Sequence, residues 1–231
     1  QQRIALARSL APEPDVVLLD EPFSSLDANL RDATRQAVAD ALRAAGSTAL
    51  LVTHDQGEAL SMADQVAVMG EGRIRQVASP PVLYGQPANA AVARFVGEAN
   101  LLDGVLELGG VRTALGVLAA VPADTPETAG GTATGPEPVT VVVRPEQLRV
   151  TRLADDGTGG DALMHPDPAG TTTGVVQRVA YFGHDALLTV EIAGLEPPMT
   201  LAARVPATTA AYGDRVTLTV TGPVMVFPSS E

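Results

Sequence analysis

Two short apolar runs dominate the hydrophobic pattern of the first 97 residues. Residues 16–19 and 48–53 are almost continuously apolar, as is typical of strands buried on both faces of a parallel sheet. The segment between them has apolar residues every three or four positions, which predicts a helix over 28–45. This order of strand, helix and strand predicts an α/β layer with a parallel sheet.

Helical periodicity also surrounds this central segment. A hairpin is predicted farther along the chain, because two apolar runs flank the turn-forming pair Glu71 and Gly72. We expect this α/β part to end at Gly97. The other helices predicted here cover 1–11, 56–63 and 87–95, and the hairpin strands cover 66–69 and 74–77.

From residue 98 onward the pattern changes to short β-type runs without long helical stretches. Turn-forming residues separate these runs, which predicts a small β barrel or sandwich over 98–231. Two segments rich in Gly, Pro, Thr and Asp, 122–138 and 154–173, are expected to be long surface loops. The predicted strands cover 101–108, 139–143, 174–181, 186–192, 201–205, 216–220 and 224–227.

Composition narrows the possible classes of protein. The chain has no cysteine, which excludes disulfides, thiolate metal sites and a cysteine nucleophile. No apolar run approaches the roughly 20 residues that a membrane-spanning helix needs, so the chain is not expected to form a pore. The net charge is −12, and residues 98–231 hold 16 acidic residues against 7 arginines. This excess repels a phosphate backbone, so we expect no nucleic-acid partner.

Two acidic residues follow the first apolar strand directly. Asp20 and Glu21 are therefore expected at the carboxyl edge of the parallel sheet, where such folds bind their ligands. Neighbouring strand residues point to opposite sides, so the two acids can have different roles. Asp20 would hold Mg²⁺ directly or through water, and Glu21 would polarise an attacking water molecule. Alternatively, the two acids only cap the next turn.

A histidine follows the second apolar strand. His54 is expected at the same edge of the sheet as Asp20 and Glu21. There its ring can donate a hydrogen bond to a γ-phosphate oxygen or to the attacking water. The competing interpretation is that His54 caps a helix.

Three segments of this part resemble motifs of the ABC transporter ATPases, which have a P-loop NTPase type of α/β fold. Residues 3–10 (RIALARSL), 18–27 (LLDEPFSSLD) and 52–56 (VTHDQ) are similar to the post-signature helix, the Walker B motif with the D-loop, and the H-loop. The resemblance implies ATP and Mg²⁺ as cofactors. The roles that it implies are Mg²⁺ binding for Asp20, catalytic base for Glu21, dimer-interface contact for Asp27 and γ-phosphate sensor for His54.

Other motifs of that family do not occur in this sequence. No G-x-x-x-x-G-K-[ST] segment is present, so the backbone cradle and the lysine that hold the β- and γ-phosphates are missing. By the resemblance, the Q-loop and the Leu-Ser-Gly-Gly signature would lie upstream of Gln1, and we expect the chain to be a truncated subunit. The 231 residues alone are therefore not expected to bind ATP productively.

The β-rich part resembles the TOBE accessory domain, a small OB-like all-β domain that follows the ATPase in many bacterial importers. Residues 183–188 and 222–224 are similar to the ferric-iron branch. His184 and Asp185 could form a metal-binding pair, but a hairpin turn explains this dipeptide more simply. His165 lies in a loop segment and is expected to be solvated. The TOBE resemblance rests on residues 97–101, 143–146, 181–185 and 213–216.

Together the two resemblances imply an ATP-hydrolysing subunit of an ABC import system. Two copies would enclose ATP between them at the cytoplasmic face of the membrane. Membrane permease subunits and, indirectly, an extracytoplasmic solute-binding protein would be partners. Iron(III) is the first expectation for the solute, and a polyamine is the second. The alternative is a non-catalytic cytoplasmic module that senses a small anion or a partner, and the sequence upstream of Gln1 discriminates between the two.

Overall fold

The computed structural model describes residues 8, 11–12, 14–24, 26–107, 109–122, 137–153 and 170–229. The chain divides into two compact units, Gln1–Gly85 and Gln86–Glu231, which we call unit 1 and unit 2. Most of the predicted helix over 1–11 and of the two predicted loops lies outside the described residues, as do Ser25 and His165. Within those loop segments, 122, 137–138 and 171–173 belong to strands instead.

Unit 1 is built around two parallel strands that are joined by a helix. Its elements are β1 (Val16–Asp20), α1 (Ala28–Ala45), β2 (Thr48–Val52), α2 (Gln56–Met62), β3 (Val66–Gly70), β4 (Arg73–Ala78) and α3 (Pro80–Gly85). Strands β1 and β2 pair in a register that runs from Val16 opposite Thr48 to Asp20 opposite Val52. The predicted parallel pairing and the predicted hairpin of β3 and β4 are therefore confirmed.

Helix α1 begins and ends where local signals place it. The carboxylate of Asp27 accepts a hydrogen bond from the Leu30 N–H at 2.9 Å and so caps the amino end. At the other end, Gly46 has a φ of 62°, a left-handed conformation that glycine adopts without strain. The predicted bounds of 28–45 are confirmed.

The sheet of unit 1 is packed on one face only within the described residues. Val17 lies in a small core with Phe23, Val38 and Leu42. The prediction of strands buried on both faces is wrong for these residues, because the helix packs against one side of the strands. The apolar side chains left exposed are Val16 (56%), Leu18 (73%), Leu50 (59%) and Val52 (55%).

Unit 2 contains one short α-helix and eleven strands among its described residues. These are α4 (Ala90–Val96), β5 (Asn100–Glu107), β6 (Gly110–Thr113), β7 (Gly116–Leu118), β8 (Ala120–Pro122), β9 (Glu137–Val143), β10 (Leu148–Arg152), β11 (Thr171–Tyr181), β12 (Asp185–Ile192), β13 (Thr200–Pro206), β14 (Arg215–Val220) and β15 (Val224–Pro228). The sheets have the orders β7-β6-β5-β9-β15-β8 and β10-β14-β11-β12-β13. Residues of both sheets, such as Val141 and Leu188, share one hydrophobic core, as expected for a small barrel or sandwich.

Four strands and one helix were not predicted from the sequence. Strands β6, β7, β8 and β10 are only three to five residues long, too short to show a clear period of two. Helix α3 starts with Pro80 and Pro81, and proline is compatible with the first turn of a helix although it breaks helical periodicity elsewhere.

Helix α4 belongs to unit 2. Its amino end is capped by Asn89, whose side chain accepts the Val92 N–H at 2.9 Å, and its Ala93 packs against Val142 and Phe227. The compact units therefore divide after Gly85, whereas the sequence predicted a boundary at Gly97. In the described part of either unit, no helix is long and apolar enough to cross a bilayer.

Candidate active site at the end of the parallel strands

The carboxyl end of β1 turns sharply at Glu21. The Glu21 N–H donates to the Val52 carbonyl oxygen at 2.9 Å, so this residue continues the pairing of β1 with β2. Its φ is 41°, a left-handed conformation that is uncommon for a residue with a side chain. The Ser24 hydroxyl donates to the Glu21 carbonyl oxygen at 3.0 Å and helps to fix the turn. The carboxylate is left half exposed at the edge of the sheet.

His54 meets Glu21 at this edge. The Nδ1 atom of His54 lies 3.0 Å from Oε1 of Glu21. A carboxylate oxygen can only accept a hydrogen bond, so Nδ1 is the donor. This hydrogen bond and the negative charge of Glu21 raise the pKa of His54, and the nearby carboxylates of Glu58 and Asp55 raise it further. The predicted meeting of Glu21 and His54 is thus present in the structure.

Asp20 ends β1 with an exposed side chain. Carboxylate oxygen suits Mg²⁺, which commonly uses one or two protein carboxylates and fills its other positions with water and phosphate oxygens. Among the described residues, no group of three or more His, Cys, Asp or Glu side chains forms a cage for a metal ion. A single exposed carboxylate beside Glu21 fits a Mg²⁺ ion that arrives with a nucleotide better than a resident metal ion.

Asp27 has a structural role in the single chain, because its carboxylate caps α1. The remaining lone pairs of the carboxylate can still accept hydrogen bonds from another molecule. The dimer-interface contact implied for Asp27 stays a prediction.

A charged cluster beneath His54 was not predicted from the sequence. Arg35 Nη2 lies 3.1 Å from Asp55 Oδ2 and 3.0 Å from Glu58 Oε1. The Thr53 hydroxyl donates to Glu58 Oε2 at 2.5 Å and accepts the Asp55 N–H at 3.0 Å. We call these four residues the Arg35 cluster.

Local sequence could have revealed half of the Arg35 cluster. Asp55 caps α2 by accepting the Glu58 N–H at 3.0 Å, and an acid or hydroxyl residue followed three positions later by Glu is a known helix-start signal. Burial alone would raise the pKa of Asp55, but this hydrogen bond and the charge of Arg35 outweigh burial and lower it. No local signal connects Arg35 with residues some 20 positions later.

The His184 and Asp185 pair of unit 2 lies in the hairpin between β11 and β12, where the Phe182 N–H donates to the Asp185 carbonyl oxygen at 2.9 Å. Asp185 Oδ2 accepts a hydrogen bond from Arg204 Nη1 at 2.6 Å. The His184 side chain is 89% exposed. This geometry agrees with the hairpin-turn interpretation of the dipeptide.

Arg144 and Asn100 explain two of the segments on which the TOBE resemblance rests. Arg144 is buried, and its Nη1 donates to the Ala93 carbonyl oxygen at 2.8 Å, so it ties helix α4 to the end of β9. Asn100 is also buried and exchanges two hydrogen bonds with the Ala202 backbone, at 2.7 and 2.9 Å. These polar residues hold unit 2 together.

Comparison with known proteins agrees with both resemblances. Residues 141–227 match the TOBE domain family. The chain is 41% identical over 99% of its length to the Fe(3+) ions import ATP-binding protein FbpC 1 of Rhodococcus jostii, covering 60% of that protein. It is 46% identical over 84% of its length to FbpC of Pseudomonas fluorescens, covering 49% of it. It is 45% identical over 68% of its length to the spermidine/putrescine import ATP-binding protein PotA of Rubrobacter xylanophilus, covering 42% of it.

The similarity to ABC importer ATP-binding subunits and the match to the TOBE domain family confirm the resemblance predicted from the motifs. The chain spans about two fifths to three fifths of the length of the curated relatives that it matches.

Proposed function

We propose that this chain is part of a subunit that binds and hydrolyses ATP to energise solute uptake through an ABC importer. The observation that carries the proposal is the 3.0 Å contact between His54 and Glu21 at the end of two parallel strands, directly after Asp20. The names of the relatives, all ATP-binding subunits of import systems, support the same function. We further infer that the complete ATPase domain has the P-loop α/β fold, with the phosphate-binding loop and the signature in parts of the protein outside these 231 residues.

The site suggests a division of labour among three side chains. Glu21 accepts a proton from the attacking water, and His54 donates a hydrogen bond to the γ-phosphate or the water when ATP is present. Because Nδ1 of His54 donates to Glu21, the opposite ring nitrogen, Nε2, faces away. In the protonated ring, which the raised pKa of His54 favours, Nε2 also carries a proton and can donate to the nucleotide. Asp20 would hold Mg²⁺, and the ion would neutralise charge on the β- and γ-phosphates.

The partners follow from the same proposal. Two subunits would enclose ATP, with Asp27 at their interface, and would dock on permease subunits at the cytoplasmic face of the membrane. A solute-binding protein outside the cell would act indirectly. We assign residues 1–97 to the end of the ATPase domain and 98–231 to the TOBE domain. The family match over 141–227 supports the identity of the second domain but does not reach the boundary.

Iron(III) is the proposed solute, with a polyamine second, because iron importers and a polyamine importer are both among the relatives. The test is uptake of radiolabelled ferric iron and spermidine by cells with and without the intact gene. Loss of iron uptake alone is expected. Loss of spermidine uptake alone would contradict the first choice.

Hydrolysis is tested with the purified full-length protein. We expect phosphate release from ATP that requires Mg²⁺ and stops on chelation. Nucleotide binding without any hydrolysis, even with the permease present, would contradict the proposal and favour the alternative of a regulatory module.

A further inference from the structure

We propose that Arg35 is a positioning residue that holds His54 against Glu21 through the Arg35 cluster. The inference rests on the proposed ATP hydrolysis, because it gives that reaction a fourth residue. It differs from the roles implied for Asp20, Glu21 and His54 in that Arg35 would touch neither nucleotide nor water.

His54 cannot hold its own orientation by packing. Its side chain is 76% exposed, and the contact described for its ring is the hydrogen bond to Glu21. A ring in this situation points where the backbone directs it. The direction of His54 therefore depends on the conformation of residues 53–55.

Both neighbours of His54 bond to the same buried residue, Thr53 to its side chain and Asp55 to its backbone. Glu58 is only 3% exposed. Its Oε2 accepts the Thr53 hydroxyl at 2.5 Å, and its N–H donates to Asp55 Oδ1 at 3.0 Å. The side chain on each side of the histidine is thus bonded to Glu58.

Arg35 connects this loop with helix α1. Its side chain is 14% exposed, and the one nitrogen Nη2 bonds both Asp55 and Glu58. Within the described residues, Arg35 is the only cation at ion-pair distance from Glu58. A buried carboxylate that loses its cation becomes unfavourable and seeks water, so removal of Arg35 should draw Glu58 and the loop away from their places.

Arg31 does not duplicate this role. Its Nη1 lies 3.9 Å from Asp55 Oδ2, a longer contact between side chains that are each one third exposed. Surface pairs of this kind contribute little. We therefore expect the loop to depend on Arg35 far more than on Arg31.

The first test is a double-mutant cycle in ATP hydrolysis by the full-length protein. Arg35→Met should lower kcat about tenfold or more with little change in the KM for ATP, whereas Arg35→Lys should recover part of the loss. In a His54→Ala background, Arg35→Met should change kcat less than twofold, because the residue through which it acts is gone. An equal loss of kcat in both backgrounds would overturn the proposal.

The matched control is Arg43→Met on the same helix. Arg43 is 63% exposed and its ion pair is with Asp40 on the same helix and not with the loop, so its replacement should leave kcat unchanged. If Arg35→Met does not fold, the cycle is repeated with Arg35→Met combined with Glu58→Gln. The second substitution removes the unpaired buried charge but does not restore the ion pairs between α1 and the loop. We expect this double substitution to lower kcat when His54 is present and to change kcat less than twofold in the His54→Ala background.

The second test does not depend on activity. In the full-length protein labelled with ¹⁵N-histidine, the Nδ1 resonance of His54 is assigned by its loss in His54→Ala. Introducing Glu21→Gln into the wild-type protein should shift this resonance. Introducing Glu21→Gln into the Arg35→Met variant should leave the resonance nearly unchanged. If Glu21→Gln shifts the Nδ1 resonance equally in the wild type and in Arg35→Met, the positioning role is overturned. Absence of ATP hydrolysis by the wild type would instead contradict the proposed function.

Discussion

The two units of this chain use their sheets differently. In unit 1, two parallel strands pack on a single helix through a small core, and the polar residues of the candidate site lie exposed at the strand ends. In unit 2, two sheets enclose a much larger shared core, and the buried polar residues Asn100 and Arg144 hold backbone segments together. The large core and the candidate site thus lie in different parts of this chain. Substitutions of the same kind should therefore have different consequences in the two units.

Glu21→Gln should have the largest effect. The amide keeps the shape of the side chain but cannot accept the proton of the attacking water, so kcat for ATP hydrolysis should fall by about 10² to 10⁴ in the full-length protein. ATP binding should persist, as measured by equilibrium dialysis. Glu191→Gln makes the same chemical change on an exposed position of unit 2 and should leave kcat unchanged. Near-normal hydrolysis by Glu21→Gln would contradict the proposed role of Glu21 as the proton acceptor in unit 1.

Leucine truncation tests the packing side of the comparison. Leu188→Ala in unit 2 and Leu42→Ala in unit 1 should each lower the free energy of unfolding within the usual range of about 2 to 5 kcal/mol. Leu188 is fully buried and Leu42 is 9% exposed at the edge of a thinner core, so Leu188→Ala should cost more. Amide hydrogen exchange of β12 and β2 under denaturant reads the two units separately. A larger loss for Leu42→Ala would reverse the expected order.

His54→Ala should lower kcat by about 10², the usual scale for loss of one positioned transition-state donor. Mg²⁺ and nucleotide binding should survive. His184→Ala is the matched control, since His184 is an even more exposed histidine in a hairpin of unit 2. A change of only a few-fold for His54→Ala would contradict a role of His54 in hydrolysis.

The smallest effect expected is a pH dependence of unit 1. The hydrogen bond to Glu21 raises the pKa of His54 in the folded chain above its usual value of about 6.5. The pair therefore stabilises unit 1 fully below about pH 6.5, and the stabilisation is lost as the pH rises through the folded pKa. Hydrogen exchange of β2 amides, corrected for intrinsic rates, should show more frequent opening above that pH. Glu21→Gln should remove the difference, and a difference that persists would assign it to another group.

How much of the structure could be predicted depended on the distance between the residues concerned. The bounds of α1 were predicted from apolar periodicity, and the structure shows that local groups set both ends, since Asp27 caps the amino end and Gly46 closes the carboxyl end. The meeting of Glu21 and His54 was predictable because each follows a parallel strand, so the topology brings them to one edge. The Arg35 cluster was not predictable, because its ion pairs join residues 20 and 23 positions apart through side-chain geometry alone.

The burial of the apolar strand side chains in unit 1 was also not predictable from the sequence. An apolar run such as Val16 to Leu19 indicates what a strand can bury, but the partners that cover it come from elsewhere in the chain or the protein. Helix α1 covers Val17, while Leu18 remains exposed within the described residues.

The left-handed backbone of Glu21 restricts which amino acids evolution can place at this position. A β-branched residue such as valine would suffer steric clashes at a φ of 41° whatever its chemistry, while asparagine or glycine would fit the turn and lose the carboxylate. If Glu21 has the proposed role, position 21 is under two independent selections, one for backbone shape and one for a proton acceptor. Relatives that lost hydrolysis are expected to carry glutamine, asparagine or glycine at position 21 first. The residue at this position in a diverged relative would therefore show whether the turn was kept after the catalytic carboxylate was lost.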